Sequence, residues 1–591
     1  MFIKDPKETG ACRVFYRDIG DYLSREEKLR IVHESGSIKN DKIAWERITP
    51  NAEGDWINQR NPEFESFISL GNREKSSEFV VFSHYSLGVG TSRDAWVYNF
   101  NHQDCSSNIR RMIDAYNQEV HRYQDVYKAI PKEKWPEPEG FVDSDPKKIS
   151  WSSSLVPNVK RGRMATFDEK KIIQSLYRPY HKSWLYFDEM MNHRVGQWPQ
   201  FFPTPSHANI VISATGIGSS KPFSTMVTNV IPDLEMISKG QCFPLYYYEK
   251  AELSKSNPME RLYSDSSHRS SSPGQKEYIR HEAITDWALK SFKKQYRDNS
   301  ITKEDIFYYI YGLLHSPEFR FRYANDLRKM LPRIPFAPDF WGFSKAGREL
   351  AHWHLIYETV DPYPLEEQID ANSLSRMTPE EFFRVEEMKF AKNGKEKDKT
   401  TILYNSRITL SGIPKETYEY IVNGKPALDW VMERYSVTVE KDSGIKNDPN
   451  AWSEDPRYIL DLVKRIVRVS LETVQIVRGL PALVKSDYKR NFASPFFGGE
   501  SIAAEDPEEV MLLSEERAEM ELIEEPVNVY GPKGGLVIRR VDCRDPNTQA
   551  IANHYFEVVT ARAATRKNGK FRTLEDAKEY LNGFLLKGKN E

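Results

Sequence analysis

Several constellations in this sequence set chemically capable residues at suggestive spacings. Gly216-Ile217-Gly218 follows the β-branched run ANIVISAT, the setting in which a glycine-rich turn cradles phosphate. A dinucleotide loop needs a third small residue leading into a helix N-terminus, whereas Lys221-Pro222 opens another β-branched run, so the spacing predicts a tight hairpin turn. His352-Trp353-His354 offers two imidazoles, but i and i+2 residues share a face only on a strand, and no third ligand is near in sequence. Asp233, Glu235 and Lys239 supply the groups of a nuclease carboxylate cluster without its spacing. Serine and cysteine nucleophile elbows are absent, and the four cysteines, Cys12, Cys105, Cys242 and Cys543, form no CxxC pair. These patterns lead to the expectation of no catalytic, metal or cofactor residues in this chain.

Asn61-Pro62-Glu63-Phe64 has the outline of the loop with which amino-methyltransferases hold a flipped base, the Asn and a prolyl carbonyl binding the amino group while the aromatic ring stacks. The second proline and an upstream glycine-rich loop are missing, so a plain turn is expected. The positive signal is basic residues mixed with aromatic ones. Across 176–202, Arg178, Lys182 and Arg194 alternate with Tyr177, Tyr180, Trp184, Tyr186 and Trp198. Further on, Arg320, Arg322, Arg328, Lys329 and Arg333 interleave with Phe319, Phe321 and Tyr323. Arg and Lys contact phosphate and read guanine, while Asn and Gln read adenine, so such a patch suits DNA. The same spacing fits an aromatic core with a solvated charged rim, and spacing alone leaves both readings open. Read as a DNA surface, it comprises Arg178, Lys182, Arg194, Arg320, Arg322, Arg328 and Lys329.

The elements that must position these residues are mixed. A short apolar stretch at 14–16 runs into a helix from Ser24, where Ser24 and Glu27 form a capping-box pattern and Leu29, Ile31 and Val32 give an apolar side. EFVVFSHYS is strand-like, and SSNIRRMIDAYNQEV places Ile109, Met112, Ile113 and Tyr116 on one helical face. The Pro-rich stretch IPKEKWPEPEGFVDSDPKK reads as a connection, and the Ser-rich SKSNPMERLYSDSSHRSSSPGQ as a surface loop. From Thr302 the pattern is helical, with Ile306, Ile310, Leu313 and Leu314 in register, a break at Pro317 and a second helix. A last long helix is expected from near Pro456, capped by Ser453 or Asp455, through Val474 to a stop at Gly479. GGLVIRRV and HYFEVVTARAATRKNGKF then alternate like strands before the helical TLEDAKEYLNGFL, a small ββα unit.

At 591 residues, with 39% apolar and 29% charged residues, 12 Trp, 31 Tyr and 30 Phe, the chain has an aromatic-rich globular composition and enough length for several structural units. No apolar run approaches the roughly 18 to 20 residues of a membrane span, and the scattered cysteines fit a reducing cytoplasm. The net charge of −2 hides an asymmetry: 505–526 holds ten acidic residues against one basic, a local −9 that leaves +7 for the remainder. A moderately basic body with an acidic segment is compatible with DNA binding without requiring it.

Several segments, in order, resemble the C-terminal region of type ISP restriction-modification enzymes and related adenine-specific methyltransferase-helicase fusions. They are FYRDIGDYLSREEKL, ITPNAEGDWINQR, TSRDAWVYNF, LYRPYHKSWLYFD, KPFSTMVTNVIPDLEMISKGQCFPLYYY, FYYIYGLLHSPEFRFRYANDLRKMLPRIP and KPALDWVMERYSVTVEKDSGIKNDPNAW. The resemblance implies an α+β, multi-unit DNA target-recognition fold. Its expected divisions are the tail of a methyltransferase domain and a connection over 1–125, the specificity domain over 150–480, an acidic linker over 500–526, and the ββα unit over 527–591. It implies recognition of a short asymmetric sequence in double-stranded DNA for a partner chain that carries the S-adenosylmethionine loop and N-P-P-Y motif, with helicase and nuclease parts where cleavage occurs. Alone, the chain is expected to be catalytically silent. Two alternatives stand beside this: an active adenine methyltransferase with unrecognised motifs, and a regulatory subunit that does not bind DNA.

Overall fold

The computed structural model describes residues 13–20, 23–38, 40–72, 79–251 and 278–483, and four strands between 523 and 571. The chain divides into two compact units, 1–499 and 500–591. The first is α+β and is built on three apolar cores.

The first core forms around the hairpin of Ile172–Arg178 and His181–Tyr186. These strands sit centrally in a sheet ordered Ile231–Pro232, Ile172–Arg178, His181–Tyr186, Tyr98–Asn99, parallel at the first junction and antiparallel at the others. Helix His102–Tyr127 packs on the hairpin and buries Ile109, Met112, Ile113 and Tyr116, the face its periodicity predicts. Helix Ala427–Arg434 also packs against the hairpin, and residues of both alternations are buried, among them Leu185 and Tyr186, as is Tyr180 in the turn.

The second core joins a sheet ordered Ser86–Leu87, Gln241–Pro244, Val211–Ala214, Thr225–Thr228 to a pair of helices, Lys303–His315 and Phe340–Leu355. The paired strands expected on either side of the Gly216 turn are Val211–Ala214 and Thr225–Thr228, antiparallel. Helix Lys303–His315 begins with a Thr302/Asp305 capping box, and every residue from Ile306 to His315 is buried, as in a helix apolar around its whole circumference. Its crossing with Phe340–Leu355 is a backbone-to-backbone approach. A Cβ on Gly347 would overlap the Tyr308 carbonyl, and one on Gly312 the Phe343 carbonyl, so both positions require glycine.

The third core joins the antiparallel sheet Glu366–Ile369, Ile408–Ser411, Glu396–Leu403, Lys389–Asn393 to helices Ala427–Arg434 and Tyr458–Arg478. The long helix ends at Gly479 as expected. Its N-cap is Arg457, without a side-chain cap bond. Asp455 accepts from the Arg457 N–H at 3.0 Å and Ser453 from the Asp455 N–H at 3.1 Å, so the two expected caps build the turn before the helix.

The expected division near residue 125 does not separate two bodies. Strands Ile68–Ser69, Ser86–Leu87 and Tyr98–Asn99 pair with Arg333–Ile334, Gln241–Pro244 and His181–Tyr186. The backbone groups of this early segment are satisfied by strands far along the chain, which builds it into the main body. EFVVFSHYS contributes isolated bridges rather than a full strand, Ser69 to Val80 and Phe82 to Ile284, before Ser86–Leu87.

The second unit contains a four-stranded antiparallel meander, Ile523–Lys533, Leu536–Arg544, Ile551–Thr560 and Arg566–Phe571. Two strands were expected. The first additional one begins within the end of the acidic segment, whose acidic residues masked the alternation of IEEPVNVY. The rest of that segment, the Ser-rich stretch and TLEDAKEYLNGFL lie outside the described residues.

Candidate nucleic-acid interface

The structure separates the seven basic candidates into internal and exposed groups. Arg178 donates from Nη1 to Asp233 Oδ1 at 2.6 Å and to the Tyr177 carbonyl at 2.6 Å, and its guanidinium lies 3.8 Å from the Tyr177 ring centroid. Tyr177 donates its hydroxyl to the partly exposed Asp94 at 2.9 Å, so the network runs from the buried Asp233 to the surface. Burial pushes the Asp233 carboxyl up to about 7 against the pull of Arg178. Lys182 is paired with Glu358, which also accepts from the Tyr458 hydroxyl at 2.6 Å. Arg320 donates from Nε to the Leu314 carbonyl at 2.6 Å, and burial pulls its guanidinium down to about 10. Arg178 and Lys182 are therefore spent on carboxylates and largely buried, unlike the open DNA surface expected of them, while Arg320 stays partly exposed with its Nε tied to the chain. The aromatic residues around Arg178 and Lys182 follow the core reading, with Tyr180, Tyr186 and Trp198 fully buried.

The other four reach the surface. Arg194 and Arg328 are exposed and make no ion pair among the described residues. Arg322 is partly exposed and pairs with Glu63 at 2.7 Å, while Lys329 donates to the Asn58 carbonyl at 2.6 Å and lies 3.0 Å from Asp55. These two clamp the 55–63 segment onto helices Pro317–Arg322 and Ala324–Lys329.

The motifs set aside on spacing now have definite structures. Every N–H that a phosphate-binding turn would present at Gly216, Gly218 and Ser219 is spent within the protein, on the carbonyls of Ser238, Arg328 and Gly216. Gly218 takes a φ of +71° to make the turn, and a Cβ on Gly216 would overlap the Lys239 carbonyl. Asn61 caps the short helix Pro62–Glu65 and donates its N–H to Asp326, while Phe64 is fully buried against Phe67 and Tyr323. His354 lies on a helix, bound to Tyr311 and Thr473, and His352 points to solvent. Asp233 is buried against Arg178 and accepts the Glu235 N–H at 2.9 Å, while the side chains of Glu235 and Lys239 are exposed. Among the described residues no group of three or more His, Cys, Asp or Glu is placed to hold a metal ion.

A different set of cations is brought together by loops distant in sequence. Lys239, exposed at a φ of 52°, donates from Nζ to the Gly218 carbonyl at 2.8 Å, and Gly218 in turn donates to the Arg328 carbonyl at 2.9 Å. Lys221, on the same turn, abuts Gly424. The neighbouring Asn423 carboxamide binds the Ser238 N–H at 3.0 Å and so ties the 421–426 turn to the 234–240 loop. Beyond it, Lys425, Lys397 and Lys399 all act on the half-buried Asp429, whose carboxyl burial raises. Lys397 and Lys399 belong to the Lys-rich ribbon of Lys389–Asn393 and Glu396–Leu403, turned at Gly394. These contacts bring the ribbon, Lys425, Lys221, Lys239, Arg328 and Lys329 together as a candidate basic face, in which Lys425 pairs with Glu433 and Lys329 with Asp55. A two-stranded ribbon of this kind fits the major groove, and lysines on loops suit phosphate. The readable signal for it was KNGKEKDK, an Asn-Gly turn flanked by lysines.

A family model for the type ISP C-terminal specificity domain matches residues 80–462. The chain belongs to that family. The specificity-domain fold is also found in solved structures. The chain is 33% identical to a nuclease-deletion mutant of the type ISP restriction-modification enzyme LlaGI in complex with a DNA substrate mimic, over 81% of its length with a TM-score of 0.67. It is 31% identical to the ATP-dependent type ISP enzyme LlaBIII bound to DNA, over 82% with a TM-score of 0.68. A DrdV–DNA complex matches at 28% identity over 80%, with a TM-score of 0.65. The chain spans 40%, 28% and 43% of those three proteins. Comparison with curated proteins finds no match. Among the described residues no helix is long and apolar enough to cross a membrane.

Proposed function

We propose that this type ISP specificity chain binds double-stranded DNA through the basic face and reads a short asymmetric sequence for an N6-adenine methyltransferase. The observation that carries the reading is the family match over 80–462, joined to likeness above 30% identity with two restriction-modification enzymes whose structures contain DNA or a DNA mimic. S-adenosylmethionine and the transfer chemistry belong, in this proposal, to a catalytic partner. Support for a partner comes from helix Arg25–Ser35, which buries none of its residues and leaves Leu29 57% and Val32 65% exposed, with Phe15 and Trp45 exposed nearby in sequence. An uncovered apolar stripe of this kind marks an interaction surface.

The test is DNA affinity measured by fluorescence anisotropy across a salt series. Each lost phosphate contact reduces the slope of log K against log salt by roughly 0.9. Lys239→Glu with Arg328→Glu is expected to reduce it by about 2, and reversal of the exposed Lys134 and Lys147 to leave it unchanged. Equal effects from the two pairs would refute the assignment of the face.

A further inference from the structure

The ribbon of Lys389–Asn393 and Glu396–Leu403 changes character along its length. Near the body it is part of a sheet, with Phe390 opposite the buried Ile402 and residues 401–403 paired onward to Ile408–Ser411. The register then shifts between Phe390 and Ala391, and the pairs Ala391–Asp398, Lys392–Lys397 and Asn393–Glu396 form an arm that no third strand joins among the described residues. Every residue from Lys392 to Lys397 is exposed. Gly394, at a φ of 63°, takes the first corner, the glycine position of a type II′ hairpin turn. From Ala391 to that corner, successive residues rising about 3.3 Å each give a reach of roughly 10 Å. The major groove is roughly 8.5 Å deep, so the arm is long enough to bring its tip to the base edges.

Cross-strand partners share a face and neighbours along a strand alternate, so the arm has two unlike sides. On one, Lys392 stands directly opposite Lys397, a like-charge pair that destabilises a ribbon in water and that a polyanion relieves. Lys397 shares its field on Asp429 with Lys399 and Lys425, which joins this side to the loop lysines. On the other, Asn393 stands opposite Glu396 beside the turn. Neither of these side chains has a hydrogen bond or ion pair among the described residues. Asp398, on the same side, is instead held by the N–H and hydroxyl of Thr400 at 2.9 and 2.6 Å. A free carboxylate at the end of a lysine arm repels phosphate, so phosphate contact does not account for Glu396.

Building on the DNA binding proposed above, we infer that Asn393 and Glu396 select neighbouring bases in the major groove while Lys392 and Lys397 hold the phosphates beside them. An Asn carboxamide matches the N6 donor and N7 acceptor of adenine, and a Glu carboxylate accepts from the N4 amino group of cytosine. Guanine and thymine show only acceptors or a methyl group on that edge and repel a carboxylate. Glu396 therefore excludes bases as well as choosing one, which suits a side chain that sets specificity.

The experiment is selection of bound duplexes from a random-sequence DNA pool by the full chain, followed by anisotropy on the enriched duplex and its single-base variants. The wild type is expected to enrich a motif with an adenine and a cytosine at neighbouring positions. Asn393→Ala should lose at least about fivefold of the discrimination at the adenine and keep the wild-type salt slope. Glu396→Gln should exchange the preferred cytosine for adenine, which a glutamine reads. Lys392→Gln with Lys397→Gln should lower the salt slope by about 2 and keep the motif. A motif that both tip variants leave unchanged would overturn the role of the arm alone, as would a loss of affinity uniform across sequences. A wild type that enriches no motif would overturn the DNA-reading proposal itself, and the arm with it.

Discussion

Replacing Arg178 with Gln separates a structural cation from a DNA-contacting one. In the wild type the Arg178 side chain is 13% exposed and that of Asp233 5%, so removing the guanidinium leaves an acidic group in an apolar interior. Breaking such a pair costs about 3–5 kcal/mol, and little of that is screened by water at this depth. The loss should depend on pH in a definite direction. Asp233 already sits at about 7, above its ordinary 3.8, because burial outweighs Arg178. A carboxyl raised in the folded state contributes stability in full below its unfolded pKa, and that contribution is lost as pH rises through the folded value. Arg178→Gln removes the group that makes ionisation tolerable, so Asp233 rises further and the variant falls behind the wild type increasingly above neutrality. Urea unfolding at about pH 5.5 and about pH 8.5 measures this, with the larger loss expected at the alkaline value. A variant as stable as the wild type at both values, yet with weaker DNA binding and a shallower salt dependence, would return Arg178 to the DNA surface and refute the argument.

Gly347→Ala should destabilise the first unit by about 1–3 kcal/mol in chemical denaturation, because the new methyl meets a backbone carbonyl rather than a movable side chain. An unchanged midpoint would mean that the helices separate at no cost. His354 is held down to about 3 by burial and by Arg320. Its contribution to stability is therefore present above the unfolded value of 6.5 and lost as pH falls toward 3. His354→Gln should flatten acid-unfolding curves over that window, and parallel curves would exclude this histidine as a source of acid sensitivity. Leu29→Asp with Val32→Asp is expected to abolish association with a catalytic methyltransferase chain in size-exclusion chromatography while DNA affinity stays within about twofold, since exposed substitutions alter folding little. Loss of both together would show that the stripe supports the fold instead.

Periodicity and capping chemistry made several elements legible in advance, because both depend on neighbours within one turn of chain. The face Ile109, Met112, Ile113 and Tyr116, the Ser24/Glu27 capping box, the hairpin at Gly216 and the helix ending at Gly479 are of this kind. Seven ordered segments also sufficed to identify a resemblance to the type ISP family, which the match over 80–462 supports. The acidic end of the linker concealed a strand because charge obscured its alternation, while ladder pairing depends on backbone groups.

The choice among basic residues was a different problem. Alternation in 172–186 distinguishes the two sides of a hairpin, but it does not say that helices from 102–127 and 427–434 also pack against it. Nor does it show that the 231–233 segment and the 357–358 turn lie beside Arg178 and Lys182, which makes these residues internal partners of Asp233 and Glu358. The basic face has the converse origin, since Lys221, Lys239 and Arg328 have no local relation and are assembled by turns that bind one another's backbones. Local sequence thus determined which segments became helices and hairpins. Whether a charge met water or a carboxylate was decided by long-range packing, because desolvation depends on what covers a side chain and not on its neighbours along the chain.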